Sequence, residues 1–174
     1  MNLSRTTYCI IFFASLIWSV AITMPPVALH FGATGAADFL YGFFSRVCHQ
    51  LDSHSLHLFD AKFAVCARCT AIYYGFFVSV VLYPFLMRKI LPATGMRTVL
   101  CSPRNLFLSA LPILLDLGLS EIGVHESTLV TRVVTGAILG LALPFILMPP
   151  AEEALRELRL SSWSSFLGGI LHAK

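Results

Sequence analysis

Charged residues are scarce in this sequence, and their scarcity excludes an ordinary soluble globular domain. Of the 174 residues, 12% are charged and 57% are hydrophobic, and the mean hydropathy is +0.80. A soluble domain carries about 25% charged residues, which cover its surface. A chain with half that fraction is predicted to face lipid. The net charge of +3 is also too small to suggest nucleic-acid binding, so we expect no nucleic-acid partner.

The sequence has no low-complexity segment, no clear repeat and no polar stretch long enough for a separate soluble domain. We therefore predict a single all-α membrane domain over residues 1–174. A helix needs about 20 apolar residues to cross a bilayer, so the apolar runs predict a bundle of about four transmembrane helices. The predicted spans are 8–29, 63–87, 106–124 and 129–148. A signal peptide is the alternative for the first run, but its length favours a retained helix.

Two further segments are predicted to lie at the membrane surface. The stretch 36–62 begins with aromatic residues, which favour the interface, and then becomes polar. The stretch 151–172 has apolar residues at helical spacing and is predicted to be an amphipathic surface helix. Proline interrupts helices, so we expect Pro25 and Pro26 to end or kink the first span and Pro149 and Pro150 to end the fourth.

The basic residues predict the orientation of the chain. The loop between the second and third spans carries Arg88, Lys89, Arg97 and Arg104 and no acidic residue. Short loops rich in Lys and Arg remain in the cytoplasm. This places both termini in the cytoplasm and 36–62 on the outer side of a cell inner membrane.

A Cys/His cluster in the polar stretch is the strongest chemical feature of the sequence. Cys48 and His49 are adjacent, and Cys66 and Cys69 follow as a Cys-x-x-Cys pair, with His54 and His57 between them. A Cys-x-x-Cys pair places two sulfurs where both reach one metal or each other. We predict a tetrahedral metal site, with zinc as the ion and Cys48, His49, Cys66 and Cys69 as ligands. A redox-active dithiol and simple packing of small residues are the alternatives.

Two oppositely charged residues lie within the third and fourth spans. Asp116 and Arg132 are placed symmetrically about the turn between those spans. A charge in the hydrocarbon costs several kcal/mol unless it is paired or hydrated. The symmetry therefore predicts a buried Asp116–Arg132 pair, which either fastens the helices together or serves as a candidate catalytic base and anion binder. Gly136 and Gly140 are predicted to permit close helix packing.

The segment CHQLDSHSLHLFDAKFAVCARCTAIYYG resembles the signature of a family of small membrane proteins, the domain of unknown function 2085. That signature is Cys-His-Gln, then Arg-Ser, then Cys-x-Arg-Cys-Thr-Gly-x-Tyr. The resemblance extends to Asp116 and to Arg132 with Thr135 and Gly136. His54 stands where the pattern has Arg, and Ala71 where it has Gly. The resemblance implies a membrane protein and a site at these residues, and it implies no activity.

Three classes of function follow from these features. The first is a metal site, structural or catalytic, that acts on a lipid or lipid-linked substrate. The second is a membrane thiol–disulfide oxidoreductase, since a Cys-x-x-Cys at the outer end of a bundle helix resembles quinone-linked disulfide-generating enzymes. The third is a non-catalytic subunit or assembly factor of a membrane complex. The sequence leaves open whether the protein is an enzyme and whether it forms a homo-oligomer.

Overall fold

The protein is described by a computed structural model that covers residues 4–87, 102–124 and 126–172. Arg88, Lys89 and Arg97, on which the predicted orientation depends, lie outside the described residues. The chain is predominantly helical, as predicted from the apolar runs. In order, it forms α1 (Arg5–His30), α2 (Thr34–Phe44), a 3₁₀ turn (Asp52–His54), β1 (Ser55–Leu58), β2 (Ala61–Cys66), α3 (Ala67–Phe85), α4 (Pro103–Glu121) and α5 (Leu129–His172).

Among the described residues, α1, α3 and the Leu129–Leu155 part of α5 are long and apolar enough to cross a membrane. The third predicted span, 106–124, corresponds to α4, which has 19 residues and packs against α5. Its apolar side chains Phe107, Leu111 and Leu114 are exposed, as expected where lipid replaces water. The count of four spans is therefore approximate, while the polytopic helical class is shown.

The prolines do not end the helices, so the end predicted at Pro149 and Pro150 is wrong, and Pro25 and Pro26 do not end the first span. Helix α1 continues through Pro25 and Pro26 to His30. Helix α5 continues through Pro149 and Pro150 as one element of 44 residues. Each proline removes only one backbone donor, and lipid offers no other partner to the remaining backbone groups, so a helix persists where an aqueous one would end. The amphipathic face predicted for 151–172 rests mostly on side chains outside the described part of the chain.

A short β-hairpin replaces the first turn of the predicted second span. Strands β1 and β2 pair antiparallel, with Ser55 opposite Cys66 and Leu58 opposite Ala61. The two turn residues, Phe59 and Asp60, both have positive φ angles, 51° and 60°, as a tight two-residue hairpin turn requires. Because β2 ends at Cys66, helix α3 begins at Ala67 and not at Phe63.

Close packing of α3 on α5 forms the centre of the bundle. A side-chain carbon added at Gly136 would lie 2.5 Å from the Arg68 carbonyl oxygen, and one at Gly140 would meet the Ile72 carbonyl. On α3, a carbon added at Gly75 would lie 3.2 Å from the Ala137 carbonyl oxygen. The predicted close contact of the Gly136 and Gly140 pair is thus confirmed. It brings the start of α3 beside the start of α5, where the site lies.

Candidate metal centre

Three cysteines from two separate segments meet at the hairpin end of the bundle. The sulfur atoms of Cys48, Cys66 and Cys69 all lie within 4.8 Å of one another. Cys48 and Cys66 are buried, Cys69 is partly exposed, and all three are free. Tetrahedral zinc–thiolate bonds of about 2.3 Å place neighbouring sulfurs about 3.8 Å apart. The three sulfurs therefore need only small movements to bind one ion.

The start of α3 supplies two of these sulfurs. Cys66 is the residue that precedes the helix, and Cys69 lies in the first helical turn. The N-terminus of a helix carries a partial positive charge from its free backbone N–H groups, which stabilises a thiolate. This arrangement explains why the Cys-x-x-Cys spacing works here: one cysteine ends the strand and the other faces it from the helix.

Cys48 reaches the pair from the other segment, one turn after α2. Its own N–H donates to the Phe44 carbonyl at 3.0 Å, and its sulfur accepts the backbone N–H of Cys66 at 3.2 Å. The thiols of Cys66 and Cys69, followed by the backbone N–H groups of Cys66 and Gln50, hold the pKa of Cys48 far below its ordinary value. Cys48 is therefore the sulfur best prepared to be a thiolate.

Gln50 holds the Cys48 segment against the hairpin. Its side-chain amide donates to the backbone carbonyls of Tyr41, at 2.9 Å, and Ala64, at 2.7 Å. The backbone carbonyl of Gln50 accepts a hydrogen bond from the Lys62 ammonium at 2.9 Å. Its φ of 52° is uncommon for a residue with a side chain, and these bonds compensate for that conformation. The sequence motif included Gln50, but its pattern alone did not reveal this positioning role.

The histidines stand around the sulfurs and not among them. His49 is exposed, and its Nδ1 atom lies 3.8 Å from the Cys48 sulfur, but it is not one of the group that the three cysteines form. His57 bonds Asp52 at 3.3 Å. The ring of His54 lies 6.1 Å from that of His49, centroid to centroid. The structure thus assembles three of the four predicted ligands and leaves His49 beside them.

The predicted Asp116–Arg132 pair is wrong in its partner. Asp116 forms its ion pair with Arg68, and the side chains of both are nearly inaccessible. Arg68 lies between Cys66 and Cys69 in the sequence. Its long side chain crosses to α4. Whether Arg68 on α3 reaches Asp116 on α4 depends on how α3 packs against α5. The symmetric placement of Asp116 and Arg132 about the α4–α5 turn does not reveal that packing.

Ser127 connects the two residues that were predicted to meet. Its hydroxyl donates to Asp116 at 2.7 Å, and its carbonyl accepts from the Nε atom of Arg132 at 3.2 Å. Asp116 and Arg132 are each 7% exposed. The prediction that both are buried near the same turn is therefore correct, although Ser127 stands between them. Nothing in the sequence pattern singled out Ser127.

An apolar crevice of about 410 Å³ runs along the outside of α1, α3 and α5. Among the residues that line it are Ala14, Trp18, Tyr73 and Leu143. Trp18 and Tyr73 also pack against the buried cluster that contains Cys48 and Cys66, and their rings are in edge contact at 5.6 Å. The crevice therefore extends from the apolar part of the bundle to the wall of the cysteine site.

Comparisons with known proteins agree with this architecture. A family model described as "Predicted membrane protein (DUF2085)" matches residues 48–146, a range that begins at Cys48 and includes Arg132. The "Uncharacterized protein MJ1492" of Methanocaldococcus jannaschii is 31% identical over 153 residues, which cover 82% of this chain and 90% of that protein. No solved structure matches the chain. The chain therefore belongs to the DUF2085 family of predicted membrane proteins.

Proposed function

We propose that this membrane protein binds one zinc ion through Cys48, Cys66 and Cys69 and uses the site to act on a lipid or lipid-linked substrate. The observation that carries the proposal is the convergence of three free cysteine sulfurs within 4.8 Å. A closed structural zinc site normally has four protein ligands, whereas a catalytic one keeps a position for water or substrate. Three cysteines leave one position to fill.

The fourth position decides between a structural and a catalytic site. The exposed ring of His49 is adjacent to Cys48, so a side-chain rotation can bring its Nδ1 atom to the ion and close the site. If His49 stays out, a substrate oxygen takes the position, and zinc then polarises a carbonyl or phosphoryl group. We propose that the position is exchangeable, because His49 belongs to no compact ligand group in the described structure.

The crevice supports a lipid as the substrate class. Spanning helices are surrounded by lipid, so an apolar crevice beside them is filled by hydrocarbon chains. Here Trp18 and Tyr73 line the crevice and also pack against the buried cluster that contains Cys48 and Cys66. A chain in the crevice would bring its head group to the metal. Asp116, predicted as a candidate base, already accepts bonds from Arg68 and Ser127, so in this proposal it positions those residues.

We also propose that the cysteine site lies on the outer side of a cell inner membrane, with both termini in the cytoplasm. Helix α3 begins at the cysteines and leads at its other end to the loop that carries Arg88 and Lys89. The positive-inside rule places that loop in the cytoplasm. Fusions of alkaline phosphatase and of a fluorescent protein to the C-terminus test this. Phosphatase activity in place of fluorescence would reverse the orientation.

Elemental analysis of the detergent-purified protein tests the metal. We expect about one zinc per chain, loss of zinc in Cys66→Ser, and retention in the control Cys9→Ser, whose cysteine stands exposed on α1. The Cys9 variant matters because it removes a thiol without touching the cluster. A metal-free wild type, with a bond between two of the three cysteines that reductant opens, would replace this proposal with the thiol–disulfide oxidoreductase.

A further inference from the structure

Arg132 is a buried cation without an anionic partner among the residues that the structure describes. It is 7% exposed, and its Nε atom donates a hydrogen bond to the Ser127 carbonyl oxygen at 3.2 Å. The carboxylate of Asp116, which Ser127 connects to Arg132, is paired with Arg68. A guanidinium has five N–H donors in a planar fork, so most of its binding capacity remains for something else.

Two neighbouring groups also lack partners. The Nε atom of Arg68 and the Nδ1 atom of His54 are buried side-chain nitrogens with no hydrogen-bond partner among the described residues. Arg68 is 9% exposed, so water does not easily satisfy it. A buried polar group without a partner destabilises the folded protein, and native structures rarely leave several of them in one place. Both nitrogens belong to the cysteine end of the bundle, since Arg68 lies between Cys66 and Cys69 in the chain and the ring of His54 lies 6.1 Å from that of His49. Their presence there points to a ligand with several acceptor atoms.

The charge of this place is positive. Arg68 and Arg132 carry permanent charges, and Asp116 cancels one of them. Burial, followed by the nearby charges of Arg132, His49 and Arg68, holds the pKa of His54 below its ordinary value. His54 therefore belongs to the same electrostatic environment as both arginines although it comes from the hairpin segment. Sites with two guanidinium groups and a net positive charge bind oxyanions, because the planar guanidinium donors match the spacing of phosphate oxygens.

We infer that Arg132, Arg68 and His54 form a binding site for a phosphate group next to the cysteine centre. This inference deepens the proposed function, since a phosphate held here would be the head group of the lipid substrate or a free phosphate that shares its chemistry. It does not depend on the metal: the buried donors lie on residues other than the zinc ligands. The anion supplies the acceptors that Arg132 and the two unpartnered nitrogens lack.

Titration of the full-length protein in neutral detergent with inorganic phosphate, followed by calorimetry, tests the site. We expect binding by the wild type and a loss of at least about tenfold in affinity in Arg132→Gln, because charge-assisted hydrogen bonds are removed. The matched control is Arg46→Gln, which removes an exposed arginine from the hairpin end of the molecule and should leave affinity unchanged. Arg132→Lys, which keeps the charge but loses the fork, should bind with intermediate affinity and provides a second test if Arg132→Gln does not fold.

A second arm distinguishes the two sources of the phosphate. The protein is placed in nanodiscs of phosphatidylcholine mixed with phosphatidic acid, and the lipids retained on release are identified by native mass spectrometry. Selective retention of phosphatidic acid by the wild type, and not by Arg132→Gln, assigns the site to a lipid head group. Binding of inorganic phosphate without such retention assigns it to a free phosphate. Either result supports the site.

Three results would overturn the inference without touching the zinc proposal. The first is a wild type that binds zinc but neither inorganic phosphate nor phosphatidic acid. The second is equal phosphate binding by Arg132→Gln and the wild type. The third is phosphate binding that survives in Arg132→Gln and disappears in Cys69→Ser, which would place the phosphate on the metal alone. Conversely, phosphate binding that depends on Arg132 in a protein without metal would refute the zinc proposal and leave this site standing.

Discussion

The guanidinium of Arg68 and the carboxylate of Asp116 form a buried ion pair between the start of α3 and the last turns of α4. The pair fastens the helix that carries Cys69 to the helix that leads into the α4–α5 turn. Ser127 completes it by donating to the same carboxylate oxygen. This ion pair thus fixes the place where the cysteines, Arg132 and the α4–α5 turn converge.

Removing one partner of this pair should destabilise the protein strongly. We expect Arg68→Met or Asp116→Leu to lower the free energy of unfolding by about 3–5 kcal/mol, because each leaves an uncompensated buried charge. The double variant should recover much of the loss. Thermal unfolding in detergent measures all three, and Asp38→Asn, an exposed site on α2, serves as the control. Independent, additive losses in the double variant would show that the two residues do not interact.

The approach of α3 and α5 should tolerate no side chain at Gly136. A methyl group there meets the Arg68 carbonyl oxygen, so Gly136→Ala should cost about 1–3 kcal/mol through overpacking. Gly118→Ala on α4 is the matched control, since nothing lies within 4 Å of the added carbon and alanine favours the helix. Equal thermal stability of the two variants would contradict the packing described above.

Gln50 should control metal affinity without touching the metal. The isosteric variant Gln50→Glu keeps the shape but loses the amide donors to Tyr41 and Ala64, which releases the Cys48 segment from β2. We expect zinc affinity to fall about 10- to 100-fold, as for other residues that orient ligands, with helix content unchanged. Competition with a chromogenic chelator measures the affinity. Wild-type affinity in this variant would show that Cys48 is positioned by other contacts.

Metal retention should depend on pH in one direction. Thiols must lose their protons to bind zinc, so acid competes with the metal and each step below neutral pH should weaken binding. The strongly lowered pKa of Cys48 makes that sulfur the last to be protonated, but it cannot hold the ion alone. Zinc content after dialysis at a series of pH values tests this expectation. A content that does not change on acidification would indicate oxygen ligands in place of sulfur.

Blocking the crevice should remove bound lipid and leave the metal in place. Ala14 lines the crevice, so Ala14→Trp would fill it, whereas Ile17→Trp puts the same bulk on a face of α1 that is 67% exposed. We expect native mass spectrometry to show fewer retained lipids for Ala14→Trp than for Ile17→Trp, with equal zinc contents. Equal lipid retention in the two variants would show that the crevice does not bind the proposed lipid substrate.

The sequence determined the membrane character of the protein, because apolar runs near the length of a bilayer have few other stable environments. It also singled out the residues of the site: Cys48, Cys66 and Cys69 come from a local motif whose spacing is legible without a structure. Membership of the DUF2085 family was readable from the same motif. These are features that depend on composition and on residues near one another in the chain.

Tertiary structure decided which side chains meet. Asp116 pairs with Arg68 and not with Arg132, because the glycines of α5 allow α3 to pack closely against α5. Arg68 and Gly136 are more than sixty residues apart in the sequence, so no local pattern predicts their contact. The structure also decided that a hairpin ends at Cys66 and that α5 continues through its prolines. Both depend on backbone hydrogen bonds, because lipid offers no other partners to the backbone N–H and C=O groups. That Arg132 is buried with no carboxylate partner among the described residues follows only from this packing, since the sequence pattern had paired it with Asp116.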